Sequence, residues 1–169
     1  HKITVLTGKP NYLKTHFFEG YGWKSDDFET INDIPVYRAN LFSRRNGGVI
    51  RLFLNYISFA ILASFKVRKI KGSFDAIFVY QTSPVTVGIP AIFAKKLFKT
   101  PIYFWVQDLW PESLVAAGGV KNKFILGFFN SLTKWIYNHS KKVLIQSDGF
   151  REYILNQRIA NDKIIFYPN

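Results

Sequence analysis

Pro101-Ile102-Tyr103-Phe104-Trp105-Val106-Gln107-Asp108-Leu109-Trp110-Pro111-Glu112-Ser113 is the stretch whose reading decides the fold. Its first seven residues open on a proline and are rich in aromatic and β-branched types, which predicts a strand buried on both faces, as in a parallel sheet. The run then breaks at once into Asp108-Leu109-Trp110-Pro111-Glu112-Ser113. That sets an acid, a tryptophan and a proline at the carboxyl edge of a sheet, where open α/β sheets bind their ligands.

The charge pattern draws attention to the same place. From Arg38 to Ser147 there are 16 lysines and arginines but only three acids, Asp75, Asp108 and Glu112. Two of those three acids lie four residues apart, just beyond one strand. A structural reading stands beside the functional one: Asp108 caps a turn, and Glu112 opens a helix whose dipole favours an acid there.

Working outward, Ile3–Thr7 reads as a strand ended by the turn Gly8-Lys9-Pro10-Asn11. The acidic, aromatic stretch from Tyr12 to Asp33 has no clean period and reads as a mobile or ligand-covering loop with room for a short hairpin. Gly20-Tyr21-Gly22 lies within it, but it neither follows a strand nor opens an apolar helix, so it is not read as a dinucleotide fingerprint. Ile34–Tyr37 is a short strand candidate, followed by a basic connection containing Arg44-Arg45. Val49–Lys69 is the longest helix candidate, apolar except for a narrow stripe of Arg51, Asn55 and Ser58. Such a helix is either buried in protein or touches a membrane.

Strands follow at Phe74–Gln81, Pro101–Gln107, Lys142–Gln146 and Ile164–Tyr167. Helices are expected over 84–98, 121–138 and 149–157, the last capped by Ser147-Asp148. In the second of these, Phe124, Ile125, Phe128, Phe129, Leu132, Trp135 and Ile136 form one apolar face. Strand and helix in alternation argue for a parallel sheet with right-handed crossovers.

Composition sets further bounds. A chain of 169 residues with 48% hydrophobic content is long enough for a core and is not disordered. The absence of cysteine excludes disulfides and thiolate metal sites. His1, His16 and His139 show no ligand spacing, so no metal is expected. The formal charge of +12 implies an anionic partner: nucleic acid, anionic lipid or a phosphorylated substrate. The longest uncharged apolar run, Leu52–Phe65, is 14 residues, short of the ~20 that span a bilayer.

The predicted strand ends gather Lys9, Asn11, Arg38, Thr82, Ser83, Asp108, Glu112, Gln146 and Ser147. These are mostly hydrogen-bonding groups with few charges, which suits the hydroxyls of a sugar. Trp110 could stack on a sugar ring or be buried. Three function classes remain open on these grounds. One is a sugar-handling enzyme. Another is a basic module that binds nucleic acid or a membrane surface without catalysis, although recognised nucleic-acid motifs are missing and none is the expected partner. The third is a nicotinamide-dependent oxidoreductase, which lacks a placed Gly-x-Gly-x-x-Gly.

Asp108-Leu109-Trp110-Pro111-Glu112-Ser113 resembles the N-terminal half of family 4 glycosyltransferases of the GT-B fold, closest to bacterial enzymes of capsule, O-antigen and colanic acid type. Thr4–Tyr12, Leu54–Ala60, Ser83-Pro84 and Tyr167-Pro168-Asn169 match the same pattern in order. The resemblance implies one Rossmann-like, acceptor-side domain over residues 1–169, truncated at both ends. A strand that precedes Ile3 in the family and lies between the Ile3 and Phe74 strands of the sheet would be missing, the sheet would be split at that gap or closed by another segment or chain, and a C-terminal donor-binding domain would lie outside the sequence. It implies retaining transfer from a nucleotide-sugar, without a metal or other cofactor, to a glycan acceptor that is commonly linked to a polyprenyl diphosphate. Asp108 then matches the family's acid at the cleft, in contact with the transferred sugar or an acceptor hydroxyl. An acceptor of this kind places the enzyme in the cytoplasm, peripheral at the inner face of the cytoplasmic membrane. Lys66, Arg68, Lys69, Lys71, Lys95, Lys96 and Lys99 are the candidate contacts to an anionic membrane surface, against a reading as solvated helix ends.

Overall fold

In the computed structural model, residues 2–11, 17–43, 48–118 and 120–169 are described. Tyr12 to His16 of the expected loop, Arg44-Arg45 and Gly119 lie outside the described residues. The chain divides into two compact units, His1–Gly72 and Ser73–Asn169.

In the first unit β1 (Val5–Gly8) pairs parallel with β3 (Ile34–Ala39), and β2 (Phe28–Ile31) pairs antiparallel on the other side of β3. The β2–β3 hairpin turns on Asn32 and Asp33, both in left-handed backbone (φ 49° and 63°), the two-residue turn that Asn and Asp tolerate best after glycine. Residues 28–33 thus form half of the short hairpin for which the sequence leaves room. Helix α1 (Gly48–Lys66) continues as a 3-10 turn over Val67–Lys69 and packs on β3 and β1.

The polar stripe of α1 faces inward. Asn55 Nδ2 donates to the Phe42 carbonyl at 2.6 Å, and Ser58 Oγ accepts the Phe42 N–H at 2.9 Å. Both side chains are buried, as is Ser64, which donates to the Ala60 carbonyl.

The second unit alternates as the sequence predicts. β4 (Ile77–Gln81), β5 (Ile102–Val106), β6 (Lys142–Ile145) and β7 (Ile164–Phe166) form one parallel sheet in chain order. Between them lie α2 (Gly88–Phe98), α3 (Glu112–Gly118), α4 (Lys123–His139) and α5 (Gly149–Asn156). The described strands thus form two sheets, one within each unit.

Val79, Phe104, Val143 and Ile164 stand in register across the sheet and are all buried. Their face packs under α2 and α4, closely enough at Gly88 that a Cβ there would meet Ile136 Cγ2 at 2.6 Å. The opposite face differs from the expectation of burial on both sides. Phe78 and Tyr80 are exposed and flank Trp105, whose indole N–H donates to the Tyr167 carbonyl at 2.9 Å.

Helix α4 also presents a different face from the one its sequence suggests. It buries Phe129, Thr133, Ile136 and Tyr137 and exposes Phe124, Phe128 and Trp135. Its start is fixed by Asn122, whose side-chain oxygen accepts from the N–H groups of Phe124 and Ile125. Pro90 sits in the first turn of α2, where its missing N–H has no helical partner to lose. Ser147, not Asp148, serves the first N–H of α5, while Asp148 pairs with Arg151 at 3.0 Å.

Candidate functional site

Three adjacent strands of the second unit end in glutamine. Gln81 closes β4, Gln107 follows β5 and Gln146 follows β6. These residues extend the sheet's hydrogen bonding past its strands. Gln107 N–H donates to the Gln81 carbonyl at 3.0 Å, Gln146 Nε2 to the Gln107 carbonyl at 2.8 Å, and Asn169 Nδ2 to Gln146 Oε1 at 2.7 Å. Gln81 is fully buried, and its Nε2 reaches the Asp108 carbonyl at 3.2 Å. Gln81 Oε1 and Gln107 Nε2 are buried without a hydrogen-bond partner among the described residues. Unpaired buried polar atoms cost about 1–3 kcal/mol each. Gln81 and Gln107 thus hold one unpaired acceptor and one unpaired donor just inside the sheet's carboxyl edge.

Asp108 begins the loop beyond β5. It is half-buried, and its Oδ1 accepts the Ser113 hydroxyl at 2.5 Å. Ser113 comes from the first turn of α3, which Glu112 opens as the structural reading of that acid requires. The loop between them is pinned from below. Trp110 is 1% exposed, its ring 5.3 Å from Phe129, and its carbonyl accepts from Tyr153 Oη at 3.3 Å and Gln157 Nε2 at 3.5 Å. Trp110 is therefore a buried anchor of the loop rather than a platform open to a sugar ring.

Burial pushes the Tyr137 phenol up, with Tyr153, Glu112 and Asp108 adding to the shift. Burial, then a hydrogen bond to Glu112 and its charge, does the same to Tyr153. Both phenols stay protonated beneath the loop; Tyr153 donates to the Trp110 carbonyl, while the Tyr137 hydroxyl is buried without a hydrogen-bond partner among the described residues. The edge as a whole offers neutral amides, hydroxyls and one half-buried carboxylate, a set fitted to orienting a polyol.

Residues 1–169 match the description of a glycosyl transferase 4-like domain. The chain belongs to that family. Among curated proteins nothing matches it. The α/β arrangement with a parallel sheet and flanking helices is that of half a GT-B fold, and the glycosyl transferase 4-like domain makes this a glycosyltransferase chain.

The remaining sequence-predicted residues of this glycosyltransferase domain fall into two groups. Thr82, Ser83 and Ser147 are exposed beside Gln81 and Gln146 at the edge. Lys9, Asn11 and Arg38 belong to the first unit, where internal bonds occupy them. Lys9 is 1% exposed, and its ammonium donates to the carbonyls of Gly22 at 2.6 Å and Ser25 at 2.8 Å. Asn11 Nδ2 turns back to the Lys9 carbonyl at 3.0 Å. Arg38 pairs with Glu29, donates to the Gly8 carbonyl and lies 5.1 Å over the Tyr21 ring. Lys9 and Arg38 hold residues 21–29 in place, so that stretch is tied down rather than loose.

Two of the expected membrane-facing lysines are likewise spoken for. Lys66 is buried against Asp27, and Lys95 donates to the His139 carbonyl at 2.5 Å. Arg68, Lys69, Lys71, Lys96 and Lys99 are exposed. Gln81, Gln107 and Ser113 escaped the sequence reading. The glutamines were legible only as strand ends, and nothing local marks which strand-end polar groups lack partners.

The Asp27 cluster gives the first unit an acid-sensitive joint. The Lys66 hydrogen bond, then the charges of Lys66, Lys9 and Lys69, hold its carboxyl below the ordinary range, against the opposing effect of burial. A lowered folded value means that folding favours the deprotonated form. The contribution is complete above about pH 4, the unfolded value, and is lost as pH falls through the lower folded one. The first unit is therefore expected to unfold at lower urea concentrations below about pH 4. Asp27→Asn should lower stability at neutral pH and flatten that acid limb; an unchanged limb would remove Asp27 from the account.

Proposed function

We propose that this domain is the acceptor-side part of a retaining glycosyltransferase. It moves a sugar from a nucleotide-sugar to a glycan acceptor, lipid-linked through a polyprenyl diphosphate, in the synthesis of cell-surface polysaccharide of capsule, O-antigen or colanic acid type. The observation that carries the proposal is the amide row Gln81–Gln107–Gln146 with Asp108 at the carboxyl edge of the parallel sheet, in a chain of this family.

In this reading Asp108 contacts the transferred sugar or an acceptor hydroxyl, and Ser113 fixes its carboxylate. Thr82, Ser83, Glu112, Gln146 and Ser147 line the approach. The donor's diphosphate is held by a second domain of the fold, where a helix N-terminus and basic residues stabilise the leaving group, and no metal or cofactor enters the reaction. The acceptor draws the enzyme to the inner face of the cytoplasmic membrane, where exposed Arg68, Lys69, Lys71, Lys96 and Lys99 meet anionic headgroups.

The test supplies the enzyme containing this domain with a panel of nucleotide-sugars and a polyprenyl-diphosphate-linked sugar. The product is weighed by mass spectrometry and its new linkage is assigned by NMR. The expected product is the lipid-linked glycan extended by one sugar with the donor's anomeric configuration kept. Inverted configuration removes the retaining assignment, and transfer only to soluble sugars removes the lipid-linked acceptor.

A further inference from the structure

Helix α1 is apolar on both faces: it buries Tyr56, Ala60 and Ala63 and also presents apolar side chains outward. Its buried face carries Asn55, Ser58 and Ser64, hydrogen-bonded as described above. Its outward face carries Ile50 (78% exposed), Leu54 (48%), Ile57 (47%), Ile61 (51%) and Phe65 (57%). Steps of three and four residues put these five on one stripe about 22 Å long at ~1.5 Å per residue. Isolated exposed apolar residues are ordinary, but a contiguous stripe of five marks a surface that something covers.

The stripe's surroundings indicate what covers it. Beside its first half an open cleft of about 700 Å³ is lined by Phe17, Trp23 and Phe42 together with Ile50, Arg51 and Leu54. Trp23 and Phe42 are themselves half-exposed, with rings 5.3 Å apart. Exposed Arg51 lies at one end, and exposed Arg68, Lys69 and Lys71 lie just past the other, with the Arg68 guanidinium 5.5 Å over the Phe65 ring. The sequence holds no acid between Asp33 and Asp75.

A second copy laid on this face would bring cations against cations. A bilayer with anionic headgroups meets the same charges with opposite sign while its hydrocarbon accepts the stripe, and tryptophan at the boundary is the usual companion. The helix from Ile50 to Lys69 is also long and apolar enough to cross a membrane, though about a third of it is buried in the protein. Its inward hydrogen bonds to Phe42 keep it lying along the domain.

We infer that α1 is an in-plane membrane anchor. The stripe Ile50, Leu54, Ile57, Ile61 and Phe65 enters the headgroup–acyl boundary of an anionic bilayer, and Arg51, Arg68, Lys69 and Lys71 remain at the headgroups. The inference deepens the membrane-acceptor reading above by naming the surface that docks, and apolar insertion adds to the purely electrostatic contact proposed there.

The chain has no cysteine, so a single thiol introduced as Ile57→Cys and labelled with an environment-sensitive dye reports on that position alone. With vesicles of phosphatidylcholine and phosphatidylglycerol in equal parts, the dye emission is expected to shift to the blue, and a label at exposed Asn130 of α4 is expected not to shift. Leu54→Glu with Ile61→Glu, both at exposed positions, should reduce vesicle co-sedimentation at least tenfold with an unchanged circular dichroism spectrum. High salt should weaken binding without abolishing it.

Three results would overturn the inference. One is no shift at position 57 with vesicles. Another is vesicle binding indifferent to the double substitution but lost on Phe124→Glu with Phe128→Glu. The third is a concentration-dependent shift at 57 without lipid, which assigns the stripe to a second copy. Sugar transfer enters none of these readouts, so the anchor and the enzymatic reading can fail separately.

Discussion

Asp108→Ala is expected to lower kcat/KM for sugar transfer by about 10²–10³-fold, the usual cost of removing one positioned polar contact to the reacting groups. The fold should hardly notice. The side chain is half-buried at a loop and, among the described residues, makes one side-chain hydrogen bond, to Ser113. The backbone contact from Gln81 Nε2 is to its carbonyl and survives the substitution. Trp110, Tyr153 and Gln157 continue to pin the loop from beneath.

Asp108→Asn separates charge from shape, because the amide oxygen can still accept from Ser113. A loss in the asparagine variant close to that of alanine means the carboxylate's charge is used. A loss confined to alanine means only its place is used. The division between kcat and KM carries the rest: a fall in kcat marks a contact made in the transition state, and a rise in KM marks acceptor binding. Near-normal turnover in both variants would leave Asp108 as the turn-capping residue of the structural reading.

The second unit was legible because its strands are short apolar runs punctuated by proline, glycine and paired polar residues, a pattern that local sterics and burial translate directly into strand and turn. Faces were harder to read. Phe124, Phe128 and Trp135 follow the same period as the buried Phe129 and Ile136, and periodicity alone does not say which side of an aromatic-rich helix meets the sheet. In α1 the polar stripe was visible, but its direction depends on Phe42, 13 residues before Asn55, offering an unpaired carbonyl and N–H. β2 has no alternation of its own, with three of its four residues exposed, and becomes a strand by pairing with β3. The usable signal was Asn32-Asp33, a two-residue turn of the hairpin type. Lys9 was misplaced for the opposite reason. A lysine past a strand reads as open to ligand, and its burial is created by carbonyls 13 and 16 residues further on.

Lys9→Met is accordingly expected to act on stability before activity. Methionine keeps much of the apolar stem and removes the ammonium, leaving the Gly22 and Ser25 carbonyls without their donor. Hydrogen bonds to a charged group contribute about 1.5–3 kcal/mol each. Two of them do not add in full, because burial already disfavours the charged amine and pulls its pKa below the ordinary lysine value, with Asp27 opposing that pull and Lys66 adding to it. A loss of about 3 kcal/mol is the expected balance. For a unit of this size that is a fall in melting temperature on the order of 10–20 °C. The loss should be local: amides between Gly22 and Asp27 should lose hydrogen-exchange protection, while those of β4 to β7 keep theirs. Little of the effect runs through the ion pair. Lys9 Nζ is 3.8 Å from Asp27, which also holds Lys66 and lies 3.6 Å from Lys69. A double-mutant cycle of Lys9→Met with Asp27→Asn should therefore return a coupling under about 1 kcal/mol, the scale of a partly exposed pair. An unchanged melting temperature together with lost sugar transfer would return Lys9 to the acceptor contacts that its position in the sequence first suggests.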